Sequence, residues 1–112
     1  MVAVVITRVW RGWTATENAD AYERFLFDEL FPSMRRISGF QSADVLRRDE
    51  PGEAAFMTLT RFESLDDVRA FAGDEYEIPV LEPKARKLLS RWDERALHFV
   101  TSTFRALTGE VG

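Results

Sequence analysis

The chain has 112 residues and a net charge of −4. This length provides one domain with one core, and the acidic balance excludes a general basic surface for nucleic acid. The absence of cysteine excludes disulfides, thiolate chemistry and cysteine-bound metals or clusters. With one histidine in the chain, a transition-metal site built by the protein is not expected either.

The N-terminal segment is apolar for only about six residues before Arg8, which is too short for a signal-peptide core or a membrane-spanning helix. We therefore expect a cytoplasmic protein that has no membrane partner. Nine Phe and three Trp are many aromatic residues for so small a domain. Such a composition is typical of a hydrophobic pocket or a buried partner surface as well as of a core.

The first part of the chain predicts a strand followed by a long helix. Residues 2–10 are rich in β-branched side chains and alternate, which predicts a strand with Arg8 among the side chains of one face. Asn18 is a suitable N-cap for a helix that begins near residue 19 and carries Tyr22 in its apolar stripe. Pro32 lies inside this pattern and should kink or restart the helix, because its ring removes a backbone donor.

The rest of the chain predicts a hairpin, two helices and a last strand. The turn chemistry of Asp49–Gly52 joins two antiparallel strands, Ser64 begins a short helix with a sequence like a capping box, and Gly73 ends that helix. The helix that starts at Pro83 is expected to run to about residue 91, and the tail 105–112 should be frayed. In order, the predicted elements are residues 40–48, 53–63, 64–71, 83–91 and 97–104.

This order is β-α-β-β-α-β with an extra helix before the last strand, the ferredoxin-like arrangement of the α+β class. It predicts a single domain over residues 1–104 with a four-stranded antiparallel sheet. Helices should cover one face of the sheet. The other face, with residues such as Val5, Phe56 and Phe99, cannot remain in water, so we expect two chains to pair these faces in a twofold homodimer.

Several short motifs occur in a characteristic order and spacing. They are Arg8-Val9-Trp10 at the end of the first strand, Tyr22 in the first helix, Pro32 followed by Ile37-Ser38-Gly39-Phe40, Phe62-Glu63-Ser64-Leu65, and the run from Phe71 to Phe99. Together they resemble the antibiotic-biosynthesis-monooxygenase family of dimeric α+β barrels, and the resemblance covers residues 1–104. It implies a cofactor-independent monooxygenase that holds an aromatic or polycyclic quinol or anthrone between sheet and helices. In such members the substrate itself activates oxygen, so no cofactor is expected.

Another branch of that family degrades haem, and this chain departs from it. That branch has an Asn on the first strand, a Trp where the third strand runs into Glu-Ser, and a His on the second helix. Here the first strand offers Thr7, the Trp position holds Phe62, and the second helix has no His. The resemblance therefore argues against haem degradation by that mechanism. Two alternatives remain open: a non-catalytic dimer that binds a small ligand, and haem binding through His98 alone.

His98 is the only side chain with an ordinary pKa near neutrality. The functional interpretation is a general base, or a hydrogen-bond donor to a bound phenol. The structural interpretation is a histidine bonded to Asp93, Glu94 or the backbone.

Arg8 and Tyr22 are the other candidate catalytic residues. Arg8 interrupts an apolar strand face, so its guanidinium requires an anion or several acceptors. These could be a substrate oxyanion, or Asp44 or Glu63 across the sheet. Tyr22 belongs to the core stripe, but its hydroxyl could reach a ligand. The side chains that we predict to line the substrate cleft are Trp10, Met57, Phe62 and Trp92.

Overall fold

The computed structural model describes residues 4–107 of the chain. The strands and α-helices are β1 (Ile6–Ala15), α1 (Ala19–Phe25), α2 (Phe31–Ser33), β2 (Phe40–Glu50), β3 (Glu53–Phe62), α3 (Leu65–Ala72), α4 (Pro83–Leu88), β4 (Leu89–Trp92) and β5 (Leu97–Val100). Two 3₁₀ turns (Thr16–Asn18 and Met34–Arg36) and a π turn (Leu26–Leu30) complete the regular structure of the described residues. This is the predicted α+β class.

The strands form one antiparallel sheet with β1 at its centre. The order is β2-β3-β1-β4, and β5 also pairs with β1. The second edge of β1 is shared, because β5 pairs with residues 6–9 and β4 pairs with residues 12–14. The ferredoxin-like fold is confirmed, but the sheet has five strands where the sequence predicted four.

The additional strand is β4, and the prediction of a helix to residue 91 was wrong. Strand β1 continues to Ala15, beyond the predicted end at residue 10, and so presents free backbone groups that residues 89–92 satisfy. Gly12 leaves room for the Leu89 side chain in this pairing, since a Cβ atom at residue 12 would lie 2.9 Å from Cδ2 of Leu89. Trp92 consequently ends a strand instead of a helix.

The predicted disturbance at Pro32 takes the form of a π turn. The backbone N–H of Phe31 donates to the carbonyl of Leu26, a five-residue step that widens the helix just before the proline. Pro32 then lies in the first turn of α2, where a missing donor is tolerated. Asn18 precedes α1 as predicted, but its side chain does not cap the helix.

The local turn and cap predictions are confirmed. Strands β2 and β3 pair up to Glu50 and Glu53 on either side of the turn, and Gly52 has a φ of 78°. The Ser64 hydroxyl accepts a hydrogen bond from the Asp67 N–H at 3.2 Å. Gly73, with a φ of 88°, ends α3. Of the tail predicted to be frayed, residues 108–112 lie outside the described residues.

The core lies between one face of the sheet and the helices. Tyr22 from α1 packs edge-on against Phe56 of β3, with the ring centroids 4.9 Å apart. The prediction that Phe56 lies on the uncovered face was wrong. Phe56 pairs with Gly12, which puts it on the same face as Arg8, and it is only 2% exposed. The other large side chains of this core are Phe25, Leu26, Met34, Phe62 and Val68.

The opposite face of the sheet, which we call the open face, is not covered by any element within residues 4–107. Leu59, Val9 and Leu97 lie side by side on it across β3, β1 and β5. Leu46 and Phe99 extend this apolar surface and are 53% and 52% exposed. No helix of the described part of the chain is long and apolar enough to cross a membrane.

Candidate functional site: a cavity beneath a strap

A cavity of about 40 Å³ lies between the covered face of the sheet and the helices. Its floor is formed by β1 and β3, and α1 with the π turn forms one wall. Its apolar lining includes Trp10, Phe25, Leu26, Met34, Phe71 and Leu81. Its polar lining is small and consists of Arg8, Tyr22, Thr58, Thr60 and Glu82.

Residues 73–82, which we call the strap, close the cavity on the side of α3. The strap connects α3 to α4 and contains no helix or strand. It begins at Gly73, whose positive φ breaks the helix. Further along, Pro79 restricts the backbone conformation because its ring fixes φ. The carbonyl of Glu77 accepts a hydrogen bond from the N–H of Ala96 at 2.7 Å, and the Glu77 carboxylate pairs with Arg95 at 3.0 Å. Residues 79–82 of the strap line the cavity.

Arg8 joins the sheet to the strap. Its Nη1 donates to the carbonyl oxygen of Tyr76 and to Nε2 of His98 at 3.0 Å, and its Nη2 donates to the carbonyl oxygen of Ile78 at 3.4 Å. The guanidinium also lies 5.6 Å from the centroid of the Phe71 ring. Only 5% of the residue is exposed.

The Arg8 guanidinium has no carboxylate partner among residues 4–107. Of the two predicted partners, Asp44 pairs with Arg61 at 2.7 Å, and Glu63 is exposed at the end of β3. Burial lowers the pKa of Arg8 to about 10, which still leaves it protonated at neutral pH. The cavity is therefore bordered by a buried positive charge that backbone carbonyls and a histidine hold in place.

His98 lies behind Arg8 instead of in the cavity. The two residues are directly opposed across β1 and β5, and because arginine only donates, the Nε2 of His98 must accept. The edge-to-face ring of Tyr76 lies 4.9 Å away. Burial, and then the charge of Arg8, lower the pKa of His98 to about 4 against a smaller opposing effect of Glu77. The imidazole is thus neutral at pH 7 and its lone pair is engaged.

Three hydroxyl groups, those of Tyr22, Thr58 and Thr60, accompany Arg8 at the cavity. Tyr22 is 2% exposed, burial raises the pKa of its hydroxyl, and no hydrogen bond to that hydroxyl occurs within the described residues. Thr60 is opposite Arg8 in the β1–β3 register. The sequence analysis missed Thr60 and Thr58, because threonine is an ordinary strand residue; only the register with Arg8 and Trp10 identifies them.

Of the four residues predicted to line the cleft, one lines the cavity and three lie elsewhere. Trp10 lines the cavity, and its indole N–H donates to the carbonyl of Asp93 at 2.7 Å. Phe62 is fully buried beside Phe71, with 6.3 Å between the ring centroids, but does not contribute to the cavity wall. Trp92 packs against the core at the other end of β1. Met57 lies on the open face, opposite Arg11 and Leu46.

The side chains of residues 4–107 do not offer a metal site, because no group of three or more His, Cys, Asp or Glu side chains is suitably placed. The polar groups that border the cavity are suited instead to hydrogen bonding and to the stabilisation of negative charge. Arg8, Tyr22 and Trp10 are brought together there, and His98 contacts the site through Arg8.

Comparison with known proteins gives matches in structure only. No family model and no curated protein matches the sequence. A protein of unknown function from Nitrosomonas europaea has the same architecture, with a TM-score of 0.66 at 18% identity over 96% of this chain and 98% of that one. SnoaB, a cofactor-independent oxygenase from Streptomyces nogalater, gives 0.56 at 20% identity over 95% and 99% of the two chains.

A dimeric ferredoxin-like protein from an uncultured marine organism is also similar, with a TM-score of 0.55 at 9% identity over 94% of this chain and 95% of that one. The chain has the fold of these proteins. The fold implied by the antibiotic-biosynthesis-monooxygenase resemblance is therefore confirmed. At these identities the likeness concerns the fold and does not extend to the reaction.

Proposed function

We propose that the protein is a cofactor-independent monooxygenase that acts on an aromatic or polycyclic substrate of the quinol or anthrone type. The observation that carries this proposal is the cavity itself, which has aromatic and aliphatic walls and a few polar groups, chiefly Arg8, Tyr22 and Thr60. Such a combination binds an apolar ring system and fixes its orientation. The shared fold with a cofactor-independent oxygenase supports the same assignment.

The chemistry requires no redox group from the protein. When an anthrone CH₂ becomes a ketone, two C–H bonds break and one C=O bond forms. One oxygen atom of O₂ enters the product and the other leaves as water, so the substrate supplies all four electrons. Negative charge develops on the ring oxygen when the CH₂ group loses a proton to water, which gives the enolate that passes its electrons to O₂. The Arg8 cation and the Tyr22 hydroxyl are the groups available to stabilise that charge in the cavity.

His98 contributes to this reaction by holding Arg8. A general base needs a free lone pair and an appropriate pKa, whereas Nε2 of His98 accepts from Arg8 at 3.0 Å and the pKa of the ring is lowered to about 4. The same contact opposes haem binding through His98, because a ligand to iron needs that lone pair. This geometry therefore supports an oxygenase without a histidine base and without haem.

The strap must move to admit a substrate of this class. A water molecule requires roughly 10–15 Å³ of such space, so a cavity of about 40 Å³ accommodates only a few waters. The strap is the element that can yield, since it has no regular structure and is held to the sheet through Arg8 and the Ala96–Glu77 hydrogen bond.

Oxygen consumption with a panel of quinols and anthrones tests the proposal. We expect uptake with substrate and O₂ alone, unaffected by chelator or added flavin. Tyr22→Phe should lower kcat/KM about tenfold through the loss of one hydrogen bond to a charged oxygen. Tyr76→Phe is the matched control, because Tyr76 lies outside the cavity lining. No uptake above the uncatalysed rate, or uptake only with haem or flavin, would contradict the proposal.

A non-catalytic ligand-binding protein is the second candidate, and the engagement of His98 by Arg8, which leaves no free histidine base at the described part of the cavity, favours it. The two candidates differ in one measurement. Saturable binding of the aromatic panel by calorimetry, with no oxygen uptake for any bound compound, would assign the protein to ligand binding.

We also infer that the functional unit is a homodimer joined through the open face. Leu59, Val9 and Leu97 form an apolar row across the open face of the sheet, and a second copy of the same face is the partner that sheet-on-sheet packing suits. The dimeric state of the similar ferredoxin-like protein supports this. Light scattering should give twice the chain mass of 12.9 kDa.

Substitution at the open face provides the control for this inference. Leu97→Asp, at a residue that is 58% exposed, should yield monomers by placing a charge in the interface. Phe27→Asp should remain dimeric, because Phe27 is similarly exposed at 50% but lies on the helical side. A wild-type monomer at micromolar concentration would refute the inference.

A further inference from the structure

Arg8 has hydrogen-bond donors that the protein does not use. The guanidinium carries five N–H groups, and its hydrogen bonds to Tyr76, Ile78 and His98 engage three of them. One N–H on Nη2 and the N–H on Nε therefore have no partner within residues 4–107. The residue is buried to 95% and lines the cavity, so these donors are placed where a ligand in the cavity can reach them.

The charge of Arg8 is also uncompensated at this position. Its protein partners are two neutral carbonyls and a neutral imidazole. Glu82 is the one carboxylate in the lining; it is exposed at the start of α4 and makes no ion pair with Arg8. A buried cation without a counter-charge is costly, and an anion bound in the cavity would remove that cost.

We propose that Arg8 forms a carboxylate-binding subsite, so that the ligand of the cavity is an aromatic carboxylic acid. Two vacant N–H groups on one guanidinium match the two oxygens of a carboxylate, which arginine binds bidentately. The hydroxyl of Thr60, opposite Arg8 in the strand register, provides a further donor. The ring system then occupies the apolar side of the cavity, against Phe25 and Leu26 of the helical wall. This inference rests on the proposed function only for the aromatic nature of the ligand.

Calorimetric titration with 2-naphthoate and its neutral counterpart 2-naphthamide tests the subsite. The two probes have nearly the same shape, so a difference in affinity reports the charge. We expect the wild-type protein to bind 2-naphthoate about tenfold more tightly or better, the equivalent of one hydrogen bond to a charged group. This comparison requires no variant, and equal affinities for the two probes would overturn the inference.

Variants then assign the effect to Arg8. Arg8→Gln should weaken 2-naphthoate about 10- to 100-fold and change 2-naphthamide by less than about threefold, whereas Arg91→Gln, an exposed arginine paired with Glu53, should change neither. Glu82→Gln should leave 2-naphthoate binding unchanged or tighter. If Arg8→Gln does not fold, Arg8→Lys is the alternative, because lysine keeps the charge but lacks the paired N–H donors of a guanidinium. Full retention of the preference for 2-naphthoate in Arg8→Lys would contradict bidentate binding.

The results separate this inference from the proposed function. Oxygen uptake with neutral quinols, together with equal affinities for the two naphthalene probes, would remove the carboxylate subsite and leave the oxygenase. A clear preference for 2-naphthoate without oxygen uptake for any aromatic compound would support the carboxylate subsite and contradict the oxygenase.

Discussion

Mild acid should destabilise this protein through His98, the one histidine of the chain. Burial and the adjacent Arg8 guanidinium lower the pKa of the His98 ring in the folded protein from its ordinary value of 6.5 to about 4, and Glu77 opposes this with a smaller effect. Below pH 6.5 the imidazole binds a proton in the unfolded chain but not in the folded chain, so unfolding becomes more favourable as the pH falls. This part of the stability is fully present above pH 6.5 and is lost as the pH falls towards 4.

The size of the effect follows from the two pKa values. The full difference corresponds to about 3 kcal/mol, but the ring is half-buried and water screens its interactions. We therefore expect a loss of about 1 kcal/mol between pH 7 and pH 5. Carboxylates contribute at still lower pH, and a variant that lacks only the imidazole separates the two contributions.

Urea unfolding of the wild-type protein and His98→Gln at pH 7, 6 and 5 measures this loss. Glutamine keeps an acceptor for Arg8 but does not titrate. The stability of the wild-type protein relative to the variant should fall by about 1 kcal/mol from pH 7 to pH 5. The same ring can be followed by NMR without overlap from another histidine. A constant difference in stability, or an imidazole that titrates near 6.5, would refute the argument.

Three further predictions concern stability. Thr14→Val should raise the free energy of unfolding by about 1 kcal/mol in urea, because the Thr14 hydroxyl is fully buried and has no hydrogen-bond partner within residues 4–107; a lower free energy of unfolding would contradict this. Gly39→Ala should cost about 1 kcal/mol, the typical value of a helix cap, because its Cβ would lie 1.8 Å from the Asp67 carboxylate that bonds Ser64. The penalty should disappear in an Asp67→Ala background, and its persistence there would exclude this contact as the cause. Inserting two or three glycines between residues 50 and 53 should lower the melting temperature by a few degrees at most, and loss of folding would mean that the turn supports the core or an interface.

The sequence was sufficient for those parts of the fold that depend on neighbouring residues. The turn at residues 49–52, the cap at Ser64 and the break at Gly73 each depend on the backbone preference of one or two residues. Strand β4 was not predictable in the same way. Its four residues follow a helix without a breaking residue, and they become a strand only because the edge of β1 near Gly12 is free to pair with them.

The candidate site was predictable to the extent that it depends on side-chain type. An arginine within an apolar strand face indicated a buried cation, and the structure has one. Of the partners that the sequence left open, Asp44 and Glu63 were wrong, and a substrate oxyanion stays a prediction. The acceptors are backbone carbonyls of the strap, 68 and 70 residues away in the chain, and a backbone carbonyl has no signature in the sequence. The contribution of Thr60 was hidden for a related reason, because it depends on the pairing of β1 with β3.

The choice of partners for Arg8 explains how one residue can both close the site and recognise a ligand. A carboxylate partner would fix the guanidinium equally well, but it would neutralise the charge and occupy the bidentate edge. The carbonyls of Tyr76 and Ile78 fix it through their dipoles and leave the net charge in place. Neutral His98 has the same property, and a protonated imidazole beside Arg8 would instead repel it. The low pKa of His98 and the unpaired charge of Arg8 are therefore two consequences of one arrangement, in which the positive charge is held in position and kept available to the cavity.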